Sequence, residues 1–139
     1  MSPEPASTAL DPATAGARRW LSALQTCVRA VDFENARPLF AEDVVSFGTH
    51  ASVVAGRDAL ERDQWRHVWP RIRDFSFRLD DTRCLGDDRG LVVVVPWDSL
   101  GVRPDGTTFP RPGRATVLLR LRERQWVAAH THFSLSPPA

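Results

Sequence analysis

The spacing of apolar residues changes once along this chain, and that change restricts the folds open to it. In the first half, apolar residues such as Trp20, Leu24 and Val28 recur every three or four positions, the period of an α-helix with one buried face. From Phe75 to Leu79 they alternate with polar residues, the period of a half-buried strand. The sequence therefore predicts an α+β domain whose helices cover one face of a sheet.

The predicted order is helix, helix, strand, helix and then four strands. The predicted helices span about 17–31, 33–40 and 57–69, and the predicted strands span 44–47, 75–79, 91–95, 114–121 and 126–135. Short turns join the last four strands, which is typical of antiparallel hairpins. Because the run 91–95 is continuously apolar, we interpret it as a central strand covered on both faces.

Composition restricts the partners of the domain. Residues 1–15 are mostly Pro, Ala, Ser and Thr and are predicted to form a disordered tail before a single domain over residues 16–139. A net charge of +1 provides no field for binding nucleic acid. No apolar run reaches membrane-spanning length, and the N-terminus has no secretory signal. We therefore expect a cytoplasmic protein that binds neither nucleic acid nor membrane.

Three short motifs resemble the NTF2-like superfamily, and most closely its SnoaL-like branch. Phe47-Gly-Thr followed by Val54-Ala-Gly-Arg-Asp-Ala-Leu60 is similar to the family's first strand, loop and entry to the third helix. Gly113–Arg120 is similar to its penultimate strand, and Trp126–Ser134 is similar to its closing strand. The resemblance covers about residues 16–137.

The resemblance implies a cone-shaped α+β barrel, with three N-terminal helices packed on a curved, mostly antiparallel sheet. It also implies a deep pocket and, usually, a homodimer paired through the sheets. The family includes polyketide cyclases, ketosteroid isomerase, dehydratases, and binding or assembly domains without catalysis. The fold therefore does not settle the function.

The closing strand carries the candidate catalytic residues. His130, His132 and Ser134 alternate, so they share one face of the strand. The two histidines are predicted either to line the pocket, as acid/base groups or polar ligand contacts, or to lie on a polar dimer face or bond to neighbouring strands. A zinc site would need a third ligand, and since no spacing signature supports one, no metal is expected.

The candidate ligand-binding residues are mainly aromatic or basic. Arg114 and Thr116 share a face of the neighbouring strand, where the arginine either selects a carboxylate or pairs with an Asp on an exposed sheet. The tryptophans form either an aromatic pocket wall or part of the core. His50 lies either at the pocket mouth or in a solvated loop. The predicted ligand-binding set is Trp20, His50, Trp65, Trp69, Trp97, Arg114 and Thr116.

Two catalytic devices are missing from the sequence. No Asp is clearly placed as a pocket base, and the chain has no tyrosine, so a tyrosine-based oxyanion hole is impossible. No nucleophile elbow, phosphate loop or dinucleotide fingerprint is present, so no cofactor is expected.

Two functions stay open on the sequence alone. One is a pocket protein for a small hydrophobic, carboxylated molecule, with or without proton-transfer chemistry of the cyclase, isomerase or dehydratase type. The other is a non-catalytic dimeric module for binding or assembly.

Overall fold

One curved sheet forms the framework of the domain. In the computed structural model, which describes residues 11–138, eight strands share this sheet in the order β2-β1-β8-β7-β5-β3, with β4 and β6 also paired to β5. The strands are β1 Phe40–Phe47, β2 Val53–Ala55, β3 Ile72–Phe77, β4 Arg83–Asp87, β5 Gly90–Val102, β6 Thr108–Pro110, β7 Gly113–Arg122 and β8 Gln125–Leu135.

The sheet is mixed and open. Strands β1 and β8 run parallel, whereas all the other described pairs are antiparallel. The mostly antiparallel arrangement is therefore confirmed. The closed barrel is not, because the order of strands ends at β2 and β3 without joining them.

Three helices precede or interrupt the first strands, as predicted. Helix α1 (Pro12–Ala30) begins after Asp11, whose side chain accepts a hydrogen bond from the Thr14 N–H at 2.9 Å. The end of the predicted tail is therefore helical from Pro12 onward, and residues 1–10 lie outside the described residues. Helix α2 (Phe33–Ala36) is a single turn.

The third helix is irregular where it carries pocket residues. Helix α3 (Arg57–Leu60) continues through a π-helical turn, Glu61–Trp65, and an α-helical turn, Arg66–Val68. It ends in the 3₁₀ turn Trp69–Arg71, where Pro70 stops a regular helix, as its restricted φ predicts. Single π-helical turns of this kind occur frequently at functional sites.

The core lies between the helices and the concave face of the sheet. Along β5, Leu91, Val93, Val95 and Trp97 are buried, while Val94 between them is 37% exposed. The interpretation of this run as covered on both faces is wrong for the single chain. Its valines alternate between the core and the convex face of the sheet, although their apolar character hides the alternation.

Three strands, β2, β4 and β6, were not predicted. Each has three to five residues and shows no alternation strong enough to distinguish it from a turn. Among the described helices, none has the length and apolar character needed to cross a membrane.

Candidate functional site

A cavity of about 60 Å³ lies between the concave face of the sheet and the helices. Its wall is mainly apolar and includes Leu24, Trp65, Trp69, Phe75, Trp97 and Phe133. We call it the inner cavity. Its volume corresponds to about two water molecules in the liquid. Since an apolar cavity that holds a benzene ring has a volume of about 150 Å³, this one suits a short alkyl group rather than an aromatic ring or a drug-sized ligand.

Stacked aromatic rings shape this wall. Trp65 and Trp69 are four residues apart on the irregular third helix, and their ring centroids lie 4.8 Å apart with planes 18° from parallel. Phe75 packs against Trp97 at 5.5 Å between centroids. Since these rings support one another, the wall is preformed and presents flat π surfaces to the cavity.

The polar groups of the inner cavity converge on Thr49. The Gln64 side chain donates from Nε2 to the Thr49 hydroxyl at 3.1 Å. Its Oε1 accepts from the backbone N–H groups of His50 and Ala51, at 3.0 and 2.7 Å. Gln64 is buried. Both the oxygen and the nitrogen of its amide therefore hold the loop after β1 at the rim of the cavity.

Arg111 is the only cationic side chain that lines the inner cavity among the described residues. Its backbone N–H donates to the Ser99 carbonyl at 2.8 Å, and its own carbonyl accepts from the Ser99 hydroxyl at 2.7 Å. Pro110 and Pro112 flank it and restrict the chain further. These contacts fix the backbone from which the guanidinium enters the cavity.

The guanidinium of Arg111 has aromatic and hydroxyl neighbours but no ion pair within the described part of the chain. Its carbon lies 5.6 Å from the centroid of the Trp97 ring, and Nη2 donates to the Thr49 hydroxyl at 3.0 Å. Burial lowers the pKa of Arg111 from its usual range. The group nevertheless stays charged, so the site contains an uncompensated cation.

A second donor near Arg111 is also unused. Trp97 is 1% exposed, and no described residue accepts a hydrogen bond from its buried indole N–H. Buried donors without a partner are rare in proteins and costly. The wall of one cavity therefore contains a guanidinium without an anionic partner and a tryptophan whose indole N–H has no acceptor among the described residues.

A larger and more polar cavity of about 240 Å³ adjoins the first. We call it the outer cavity. The two share Thr49, Val68, Ile72 and Arg111 in their walls. In the outer cavity the imidazoles of His50 and His67 stack at 4.6 Å between centroids, with planes 11° from parallel. The site thus combines an apolar interior with a basic entrance.

The tryptophans and His50 divide between site and core. Trp65, Trp69 and Trp97 line the inner cavity, and His50 lines the outer one. Trp20 lines neither. It is buried at 3% exposure and donates its indole N–H to the Leu39 carbonyl at 2.8 Å. Its predicted place in the ligand site is therefore wrong, because it belongs to the packing of α1.

The predicted pocket positions of His130, His132, Arg114 and Thr116 are also wrong. All four lie on the convex face, where His132 is the direct partner of Thr116 and Arg114 is that of Ser134. Arg114 donates from Nε to the Ser134 hydroxyl at 2.9 Å. His130 Nδ1 lies 2.6 Å from the Val45 carbonyl. The Phe47 ring packs at 5.2 Å from both imidazoles.

A bulge in β8 explains this placement. Ala128 pairs with Leu119, but His130 pairs with the next residue, Leu118, which leaves Ala129 as one extra residue in the strand. Ala128 is fully buried, so regular alternation would have turned the histidines inward. The bulge reverses the alternation, and Thr131 and Phe133 enter the cavity wall instead.

Sequence reasoning missed Arg111, Thr49, Gln64 and Phe133. For Arg111 the sequence does contain one local signal. An arginine between two prolines has a restricted backbone, which limits the directions that its side chain can take. The other three follow only from the tertiary arrangement. Within residues 11–138, no group of three His, Cys, Asp or Glu side chains is arranged to hold a metal ion.

Comparison with known proteins places this geometry in a family. The family model described as SnoaL-like domain matches residues 18–138. No curated protein matches the chain. Many solved structures share its fold. One is a ketosteroid isomerase-like protein from Erwinia carotovora atroseptica SCRI1043, with 16% identity, a TM-score of 0.78, and coverage of 93% of this chain and 100% of that one.

Two further solved structures support the same fold. An NTF2-like superfamily protein from Salmonella enterica serovar Typhimurium LT2 has 14% identity and a TM-score of 0.77, with coverage of 91% of this chain and 92% of that one. An uncharacterised protein with a cystatin-like fold from Caulobacter vibrioides has 18% identity and a TM-score of 0.74, with 90% of each chain covered. The chain has the NTF2-like α+β fold and belongs to the SnoaL-like domain family.

Proposed function

We propose that this protein binds a small organic acid, with the apolar end of the ligand in the inner cavity and its carboxylate against Arg111. The observation that carries the proposal is the uncompensated guanidinium in a mainly apolar wall. No acidic side chain lines the inner or the outer cavity in the described part of the chain. An anionic ligand would supply the missing partner.

The donors near Arg111 support a carboxylate rather than a neutral polar group. Guanidinium binds carboxylate through two parallel hydrogen bonds, and part of the Arg111 fork is already oriented by Thr49. Trp97 lines the same cavity, and its indole N–H has no acceptor among the described residues. A carboxylate has four lone-pair sites, so it can accept from both prongs of the guanidinium and from a further donor.

The lining of the inner cavity supports binding of the acid without proton transfer. The inner cavity is lined by no Asp, Glu or His among the described residues, so no group there has a pKa suited to general acid/base work at neutral pH. His130 and His132 face away from it. The nearest imidazoles, His50 and His67, belong to the outer cavity.

Carboxylates are expected to bind at least about tenfold more tightly than their matching amides, because hydrogen bonds to charged groups contribute about 1.5–3 kcal/mol. Propionate and butyrate would be compared with propionamide and butyramide, since their alkyl groups fit a cavity of about 60 Å³. Since three tryptophans line the inner cavity, tryptophan fluorescence provides the titration signal. Equal affinities for acid and amide, or no binding by either acid, would contradict the proposal.

We also propose that two copies of the chain pair through the convex face of the sheet. This face exposes Val45, Phe47 and Val94, at 40, 38 and 37%, beside His130 and His132. These residues carry no fixed charge, so a two-fold axis would not place like charges opposite each other. An apolar sheet face of this kind is typical of a protein–protein interface.

Phe47→Asp is expected to convert such a dimer into a monomer, since it would bury a carboxylate on both sides of the two-fold axis. Size-exclusion chromatography with light scattering measures the change. Leu121→Asp is the matched control, because Leu121 is 39% exposed but lies near the end of β7, outside the patch formed by Val45, Phe47 and Val94. A monomeric wild-type protein, or a Phe47→Asp variant that remains dimeric, would overturn the proposed pairing.

A further inference from the structure

The outer cavity has a chemical character that the proposed acid-binding site does not use. His50 and His67 stack at 4.6 Å, and Arg71 and Arg111 complete a basic lining. Arg71, like Arg111, makes no ion pair with any described residue. One carboxylate bound by Arg111 would leave Arg71 without an anionic partner among the described residues.

The surroundings of the stacked imidazoles are mostly cationic. Arg71 and Arg111 face them from the 3₁₀ turn and from the segment between β6 and β7. Arg103 lies behind the Phe109 ring, 4.6 Å from its centroid. Asp63 is the acidic group that interacts with His67, but it is engaged by Arg62, with a 2.8 Å contact.

The stacked imidazoles add hydrogen-bond donors to this cationic lining. Their centroids are 4.6 Å apart, and both residues line the same cavity as Arg71. An anion in the outer cavity could therefore accept hydrogen bonds from ring N–H groups as well as from an arginine.

Volume supports the same assignment. The outer cavity has about four times the volume of the inner one, 240 against 60 Å³, so the larger part of a ligand that fills both lies among the basic groups. An apolar acid with a single carboxylate would fill the inner cavity and the junction at Arg111 and leave this space to water.

From these observations we infer that the outer cavity is a second anion subsite, and that the natural ligand is an organic dianion with a small apolar end. This inference rests on the proposed function, because the first anionic group is the one held by Arg111. The second group is held by His50, His67 and Arg71.

Inorganic sulfate is a suitable probe, since it keeps both charges between pH 6 and 8. The experiment follows the imidazole resonances of the four histidines by NMR during a sulfate titration, against sodium chloride at equal ionic strength. His50→Gln and His67→Gln assign the resonances. We expect those of His50 and His67 to shift while those of His130 and His132, on the opposite face, stay in place.

Arg71→Gln should weaken sulfate binding about tenfold or more, whereas Arg73→Gln, with the same change of charge outside the cavity lining, should leave it unchanged. Equal shifts at all four histidines or an insensitive Arg71→Gln variant would overturn the second subsite. That result would leave acid-over-amide selectivity at Arg111 standing. Loss of that selectivity would instead contradict the proposed function.

Discussion

Arg111→Gln is expected to lower the affinity for propionate or butyrate between about tenfold and a hundredfold, while the matching amides bind as before. Glutamine retains a donor near Thr49 but lacks the charge and the two-pronged geometry that a carboxylate needs. The loss corresponds to a hydrogen bond with a charged group, about 1.5–3 kcal/mol. Fluorescence titration of both proteins with both ligand types measures it.

The same position is expected to affect stability in the opposite direction. Burying a guanidinium without an anionic partner costs desolvation free energy and so destabilises the folded protein. A well-packed apolar residue at the same position avoids this cost. Arg111→Met should therefore unfold at a higher urea concentration than the wild-type protein when no ligand is present. Butyrate should stabilise the wild type and leave the Met variant unchanged.

Arg114→Gln is the control for both measurements. It makes the same change of charge, but Arg114 lies on the convex face and its hydrogen bond goes to Ser134. Acid-over-amide selectivity should be intact in this variant. If selectivity survives in Arg111→Gln or disappears in Arg114→Gln, Arg111 is not the group that binds the carboxylate.

The fold was predictable because its strongest signals are periodic patterns that extend over many residues. The helical period of Trp20, Leu24 and Val28 and the strands at the end of the chain depend on which residues are buried, and burial decides secondary structure in a two-layer domain. The short strands escaped prediction for the opposite reason. β2 and β6 have three residues each, too few to display a period, and they form because longer strands provide an edge for them.

The site was only partly predictable, and the bulge in β8 shows why. Same-side geometry for His130 and His132 was a sound inference from alternation, and the structure places them together. Which side they occupy depends on one extra residue at Ala129, and a bulge leaves no mark on the alternation that follows it. Thr131 and Phe133 therefore take the cavity positions that were predicted for the histidines.

The arginine of the site was predicted as a residue type but assigned to the wrong position. Arg114 lies on a strand, where the alternation of side chains predicts which residues share a face. Arg111 lies between β6 and β7, where no periodicity applies. Its direction is set by two hydrogen bonds to Ser99 and by contact with Trp97. Such contacts join segments that become neighbours only after folding.

Gly113→Ala is expected to destabilise the protein by about 2–3 kcal/mol, although alanine is normally the better residue in a strand. Gly113 is the cross-strand partner of Trp97, and the indole lies directly over it. An added Cβ would overlap two carbon atoms of that ring and lie 2.5 Å from the Ser134 carbonyl oxygen. Trp97 cannot retreat easily, since Phe75 packs against it at 5.5 Å. Urea denaturation measures the cost.

The source of that cost can be separated from a general intolerance of side chains on the sheet. Gly90→Ala is the matched control, because a Cβ there would meet its nearest neighbour, Leu118 Cδ1, at 3.7 Å, and its stability should change by less than about 1 kcal/mol. Trp97→Phe removes the outer ring of the indole, so Gly113→Ala should cost less in that background, with a coupling energy of about 1 kcal/mol or more. Additive effects would show that the indole is not the obstacle. With coupling present, Gly113→Ala should also weaken butyrate binding, because Trp97 lines the inner cavity and a displaced indole changes the wall of that cavity.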